Sequence, residues 1–213
     1  AAAQRQGGNA VFVDAERTYD PDWFKLSGVD LSEDKLLVVR PRTLEQTNDM
    51  VVDALQTVKP TVLVVDSVPS LVPADVLAMK MEDKDERGVH PRKIGMMVKN
   101  CTSFNDSTAL IFINQIRMSM GISFGNPESL PGGKALQFAT TLMIRVRRGK
   151  WITDAVSTLD KDDDKDAQRI GFMLKLRTEK NKLAPPWQTC EVEFKFDGTV
   201  DPTGSLIRLA IER

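Results

Sequence analysis

Four stretches of this chain are apolar almost without interruption: NAVFVD at 9–14, LLVVR at 36–40, TVLVVDS at 61–67 and ALIFINQI at 109–116. A strand with one wet face alternates apolar and polar residues, so strands that do not alternate must be covered on both faces. Between them, TLEQTNDMVVDALQTV (43–58) and PRKIGMMVKNCTSF (91–104) carry apolar residues at helical spacing, and Thr43 with Gln46 reads as a helix cap. Buried strands alternating with helices imply an α/β domain with a mainly parallel sheet and helices on both faces. Later segments differ. TLMIRVRR (141–148) alternates, and GFMLKLRTEK, TCEVEFKF and LIRLAIER read as strands joined by turns such as Asp197-Gly198. The expectation is one domain over 1–213, its mixed sheet closed by an antiparallel C-terminal edge, with no internal repeat.

Charge and cysteine content narrow the function classes. With 29 basic residues against 30 acidic, the net charge of -1 gives no global attraction for nucleic acid, so any such site must be a local patch. Cys101 and Cys190 are far apart and lack metal-ligand spacing, which favours a reducing compartment over a disulfide framework. No apolar run reaches the roughly 18 residues that a membrane helix needs, and no signal-peptide pattern is present, so a cytoplasmic protein without a membrane partner is expected. Asp160, Asp162 and Asp164 imitate the start of a calcium loop, but Lys165 stands where that loop needs Gly and Gly171 where it needs Glu. That segment reads as a solvated acidic loop. The lone His90 has no partner cluster and reads as a loop or cap residue.

In an open parallel sheet, ligands bind beyond the carboxyl ends of the strands. Three strands bring polar groups to that edge: Asp14 and Glu16, Asp66 and Ser67, Asn114 and Gln115. An aliphatic strand ending in Asp, as in VLVVDS, has the form of a Walker B element, whose carboxylate holds the water shell of Mg²⁺ beside a nucleotide. Each residue also has a plainer reading. Asp66 resembles an ordinary helix cap, Glu16 a surface acid, and Gln115 a group that satisfies backbone at a strand end. Their coincidence at one edge favours the functional alternative, with Glu16 as a general base for an attacking water. The phosphate cradle GxxxxGK[ST] is absent from these residues. AAAQRQGG reads as the last turns of a helix, with Gly7 and Gly8 as its stop, so the chain is expected to begin just after such a cradle.

The blocks AAAQRQGGNAVFVDAERTYDP, VLVVDSVPSLVP, LIFINQIRMSMGISFGNPESLPGGKALQF and EKNKLAPPW resemble, in the same order, those of RecA-family recombinases. The tail FKFDGTVDPTG is similar to the RecA-like recombinases of T4-type phages. The resemblance implies a RecA-like P-loop ATPase core that uses ATP and Mg²⁺, forms a homo-oligomeric filament on single-stranded DNA, and pairs that strand with homologous duplex DNA. It implies roles by position: Glu16 activates water, Asp66 and Ser67 form the Walker B end, and Gln115 couples the γ-phosphate to the following loop. Asp20 and Trp23 fall where the family contacts adenine. Lys180 and Lys182 fall where it reaches the neighbouring subunit's ATP, although exposed lysines on an edge strand would look the same.

The resemblance also explains the glycine-rich, partly apolar run after Gln115, residues 117–134, as a second DNA-binding loop. Arg117 and Lys134 supply charge, and Gly125, Asn126, Gly132 and Gly133 allow close backbone approach. Met120, Ile122 and Phe124 are placed to wedge between bases, and Met118 counts with them as a DNA-binding residue. The first loop, about 76–88, departs from the family: Glu82, Asp83, Asp85 and Glu86 stand where glycines are expected. Arg92 and Lys99, seven residues apart on the next helix, are the better phosphate contacts there. Two rivals share these features: a hexameric helicase of the same ATPase class, and a non-catalytic module retaining only the fold.

Overall fold

The computed structural model describes residues 1–79, 89–118, 128–153 and 168–201. It divides into two compact units, Ala1–Ala139 and Thr140–Arg213.

The first unit is built on a parallel sheet of β1 (Ala10–Asp14), β2 (Leu36–Val39), β3 (Val62–Asp66) and β4 (Ala109–Phe112), in the order β2-β1-β3-β4. Helices α1 (Ala2–Arg5), α2 (Pro21–Leu26), α3 (Leu44–Asp53), α4 (Ala74–Ala78), α5 (Val89–Ser103) and α6 (Gly133–Ala139) accompany it. The central pair carries the core. Val11 and Val13 of β1 and Leu63 and Val65 of β3 are buried with Leu44 and Val51 of α3 and with Ile94, Met97, Val98 and Cys101 of α5. Each such side chain contributes about 1.5 to 3 kcal/mol when fully withdrawn from water. Burial pushes the Cys101 thiol up to about 12, so it behaves as a small core hydrophobe.

The N-terminal cap of α3 forms as expected: Thr43 Oγ1 accepts from Gln46 N at 3.1 Å, and Gln46 Oε1 accepts from Arg42 N at 2.8 Å. Its C-terminal end differs. The α-helix stops at Asp53 and residues Ala54–Val58 widen into a π-turn, with Lys59 N donating to Ala54 O. The Thr57 hydroxyl donates to Asp53 O, and Lys59 ends the turn in the left-handed region at φ 47. The fourth apolar run also departs from the expectation of a buried strand to residue 116. β4 stops at Phe112 and is a margin of this sheet, so Ile111 is 46% exposed and Ile113 40%. Helix α5 runs through Gly95, where a side chain would press on α6: a Cβ would lie 3.2 Å from that of Ala135.

The second unit is an antiparallel sheet of β7 (Leu142–Thr153), β8 (Arg169–Asn181), β9 (Thr189–Lys195) and β10 (Val200–Asp201), in the order β10-β9-β8-β7. The mainly parallel sheet with helices and the antiparallel C-terminal strands match the fold class expected from patterning. β7 runs five residues past the alternating segment, to Thr153, with a register shift between Arg148 and Trp151. Gly198 takes φ +80 in the Asp197-Gly198 turn. The calcium-like Asp160, Asp162 and Asp164, the acids of the first loop and the segment LIRLAIER lie outside the described residues. Among the described residues no helix is long and apolar enough to cross a membrane.

Candidate nucleotide and nucleic-acid site

Strand register sets the geometry. β1 and β3 pair residue for residue from Ala10↔Val62 to Asp14↔Asp66, so both strands deliver a carboxylate to the same edge. The chain then turns, and Ala15 N and Glu16 N both donate to Asp66 O, at 2.8 and 3.2 Å. That turn aims Glu16 across the top of β3. Its Oε1 accepts from Ser67 Oγ, from Ser70 Oγ at 3.2 Å and from Gln115 Nε2 at 3.1 Å. Three strand ends therefore meet on one carboxylate oxygen. Ser67 is buried and Gln115 is exposed; the Asp66–Ser67 peptide is cis.

Asp66 feels this crowding. Burial, then the charges of Glu16 and Asp14, raise its carboxyl above the ordinary carboxylate range. A carboxylate held this way lowers stability once ionised, and the cost appears as pH rises through the ordinary range towards the raised value. Asp66→Asn is therefore expected to raise the melting temperature of the ligand-free chain at neutral pH. The gain should shrink as pH falls through the ordinary carboxylate range and vanish below it, where both states hold the proton; a lower melting temperature at neutral pH would contradict the raised value. The same crowding fits a bound cation, which would relieve it. Among the described residues no group of three or more His, Cys, Asp or Glu side chains is arranged to hold a metal. Asp66 is the residue at this edge that would hold a magnesium ion, through water.

Asp20 and Trp23 open α2. Asp20 Oδ1 accepts from Asp22 N at 2.9 Å and Trp23 N at 3.3 Å, so it caps the helix, and the Trp23 ring is 41% exposed. Gln115 leads into a small hairpin, β5 (Arg117–Met118) paired with β6 (Glu128–Ser129), which closes the base of the expected second loop. Arg117 and Met118 are exposed there, as is Lys134 at the start of α6. Met120, Ile122, Phe124, Gly125 and Asn126 lie outside the described residues. Gly132 is buried with φ +86, and a Cβ would sit 3.1 Å from both Ile94 Cγ2 and Val68 Cγ1. Gly133 has φ +70, with Pro91 Cβ 3.3 Å from the Cβ position. Packing against the core residues Ile94 and Val68 gives Gly132 a role apart from phosphate approach, and Gly133 is crowded by the exposed Pro91. Arg92 and Lys99 are both exposed on α5, with the exposed Met96 between them.

Lys180 and Lys182 belong to the second unit, Lys180 near the end of β8 and Lys182 just after it. Burial and the neighbouring Lys182 charge lower the Lys180 ammonium from its ordinary range. His90 Nε2 lies 2.7 Å from Leu71 O, a backbone contact at the start of α5.

Sequence reasoning did not single out Arg40 or Ser70. Arg40 Nε donates to the fully buried Asp14 at 3.0 Å, and Ser70 reaches Glu16 from a 3₁₀ turn three residues after Ser67. A signal existed for each. Arg40 follows a strand whose one sheet neighbour, β1, ends in Asp14, and Ser70 is one helical turn from a residue already implicated.

The chain is similar to known proteins over its whole length. The RecA N-terminal domain family matches residues 1–201. Protein RecA of Treponema denticola is 36% identical over 215 residues, covering 100% of this chain and 49% of that protein. The mitochondrial DNA repair protein recA homolog of Dictyostelium discoideum is 38% identical over 213 residues, covering 99% of this chain and 44% of that protein. Protein RecA of Thermus aquaticus is 36% identical over 213 residues, 99% of this chain and 59% of that protein. The chain thus spans roughly half the length of these curated relatives. With carboxylates aligned at the ends of parallel strands, a glutamine joining them to a loop base, and a family match running from its first residue to residue 201, this chain belongs to the RecA family.

Proposed function

We propose that this chain supplies the water-activating and DNA-binding part of an ATP-hydrolysing recombinase that, as the intact protein, assembles as a filament on single-stranded DNA and exchanges strands with homologous duplex DNA. One observation carries the reading: Gln115 Nε2 donates to Glu16 Oε1 at 3.1 Å and stands two residues before the hairpin at the base of the second loop. A change at the nucleotide edge would therefore be felt at the DNA loop.

In this reading Glu16 accepts a proton from the water that attacks the γ-phosphorus of ATP, and its hydrogen bonds to Ser67, Ser70 and Gln115 hold it in place. Magnesium, when bound, neutralises phosphate charge, and Asp66 would orient its water shell. Trp23 offers its exposed ring to the adenine beside Asp20. Lys180 and Lys182 approach the ATP of a neighbouring subunit, which makes turnover depend on assembly. Arg117, Lys134, Arg92 and Lys99 take phosphates, and the apolar side chains of the loop take bases.

A salt titration of single-stranded DNA binding by the full-length gene product tests this, with and without a non-hydrolysable ATP analogue. Arg117→Ala or Lys134→Ala should lower the log–log salt slope by about 0.7 for each phosphate that is no longer neutralised. Met118→Ala should leave that slope alone and weaken binding by about 1 to 3 kcal/mol. Gln115→Ala should remove only the affinity gained from nucleotide. If all four substitutions leave binding unchanged, the loop is a surface connector and the proposal fails.

A further inference from the structure

Among the described residues, Asp14 is the only member of the buried set that carries a formal charge, with 0% of its surface exposed. An ionised carboxylate in that position must be compensated, and the way it is compensated shapes the site. Its Oδ1 accepts from Thr18 N at 2.9 Å, and Oδ2 accepts from Tyr19 N at 3.3 Å and from Arg40 Nε at 3.0 Å. Two of these donors are backbone amides of the turn that follows β1. Asp14 therefore gathers that turn around itself.

Arg40 is fixed in its own right. Arg17, in the left-handed region at φ 61, sends its guanidinium back to Arg40 O at 3.1 Å and Pro41 O at 2.9 Å. The Arg40 guanidinium lies 5.7 Å from the centre of the Tyr19 ring. Tyr19 packs edge-on against Phe24 of α2 at 4.8 Å, and Phe24 against Phe12 of β1 at 5.0 Å. One ion pair between the buried Asp14 and the half-exposed Arg40 thus holds both ends of a single segment. Glu16 lies at one end, also tied to Asp66 O, and the Asp20–Trp23 start of α2 lies at the other.

We infer that Asp14 and Arg40 are a positioning pair that sets the water-activating Glu16 and the adenine-facing Asp20–Trp23 end together, so that catalysis and base binding depend on one contact. The inference rests on the function proposed above. Neither residue touches nucleotide; both act through the 15–23 segment. Arg40 suits the task because its planar guanidinium hydrogen-bonds along one edge while its face meets a ring, which an ammonium cannot reproduce.

The test is steady-state ATP hydrolysis by the full-length gene product carrying Arg40→Gln, Arg40→Lys, Glu16→Gln, or Arg40→Gln with Glu16→Gln. Nucleotide-induced quenching of Trp23 is followed in parallel, with Trp151 and Trp187 changed to Phe. Arg40→Gln should lower kcat and raise KM for ATP together, each by about 10- to 100-fold, as expected when reacting groups are misplaced by up to about an ångström. Arg40→Lys should recover part of both. In the Glu16→Gln background the kcat loss should nearly vanish, because the group being positioned is already gone, while the KM loss persists. A kcat loss that multiplies in full in that background, or an unchanged KM, overturns the inference. Should Arg40→Gln fail to fold, as judged by circular dichroism, Asp14→Asn replaces it, since its amide oxygen still accepts a turn N–H. Undiminished turnover in Glu16→Gln would defeat the catalytic reading alone. The Trp23 midpoint then decides the pair separately: a shift with Arg40→Gln supports it, and no shift ends it.

Discussion

In the full-length gene product, Glu16→Gln is expected to lower ATP turnover by about 10² to 10⁴, the usual worth of a positioned general base, and to leave affinity for nucleotide and DNA intact. The geometry isolates one property. Ser67, Ser70 and Gln115 all donate to Oε1, and a glutamine can present a carbonyl oxygen to the same three donors. The local hydrogen bonds survive and only the capacity to take a proton disappears. Steady-state hydrolysis measured alongside binding of a non-hydrolysable analogue decides the matter. If affinity falls as far as turnover, Glu16 is a structural tie between strand ends and the assignment of a base is wrong.

Gly132→Ala is expected to be the most damaging single methyl added to the described glycines of the loop base. Its φ of +86 brings about 1 to 3 kcal/mol of backbone strain for a residue with a Cβ. The new methyl would also press on Ile94 and Val68 at 3.1 Å, adding a comparable overpacking cost. Gly28→Ala separates the two effects, because Gly28 has φ +76 but nothing within 4 Å of its Cβ position. Urea unfolding of both variants should show a clearly larger loss for Gly132→Ala at an unchanged slope; equal losses would mean that the core yields at no cost. Since Gly132 stands between β6 and α6, its substitution should also weaken DNA binding, whereas that of Gly28 should not.

Local information reached as far as the elements themselves. Patterning marked β1, β2 and β3, the helices over 44–53 and 89–103, and the Asp197-Gly198 turn, because apolar period and turn chemistry are properties of neighbouring residues. It also placed Glu16, Asp66 and Gln115 at strand ends, and parallel strands bring their carboxyl ends to one edge whatever the details of packing. The motif resemblance supplied the family. Its loop residues 119–127 and the acids of the first loop lie outside the described structure.

What the sequence did not contain was the set of distances between remote elements. Glu16 and Gln115 are 99 positions apart, and their contact follows from β1 and β4 flanking β3. Asp14 read as a polar group at a ligand edge. It is a fully buried anion instead, because β1 is the inner strand between β2 and β3 and Arg40 arrives from the end of β2. ALIFINQI read as buried on both faces, yet sheet order left β4 at a margin with Ile111 and Ile113 exposed. Gly132 read as a site of close backbone approach to DNA; it is also small because Ile94 and Val68 lie 3.1 Å from where its Cβ would be, as Ala135 lies 3.2 Å from that of Gly95. Periodicity fixes which elements form, since it acts over one or two turns of chain. Burial, charge pairing and close approach depend on which elements become neighbours, and in this protein only the assembled sheet determined that.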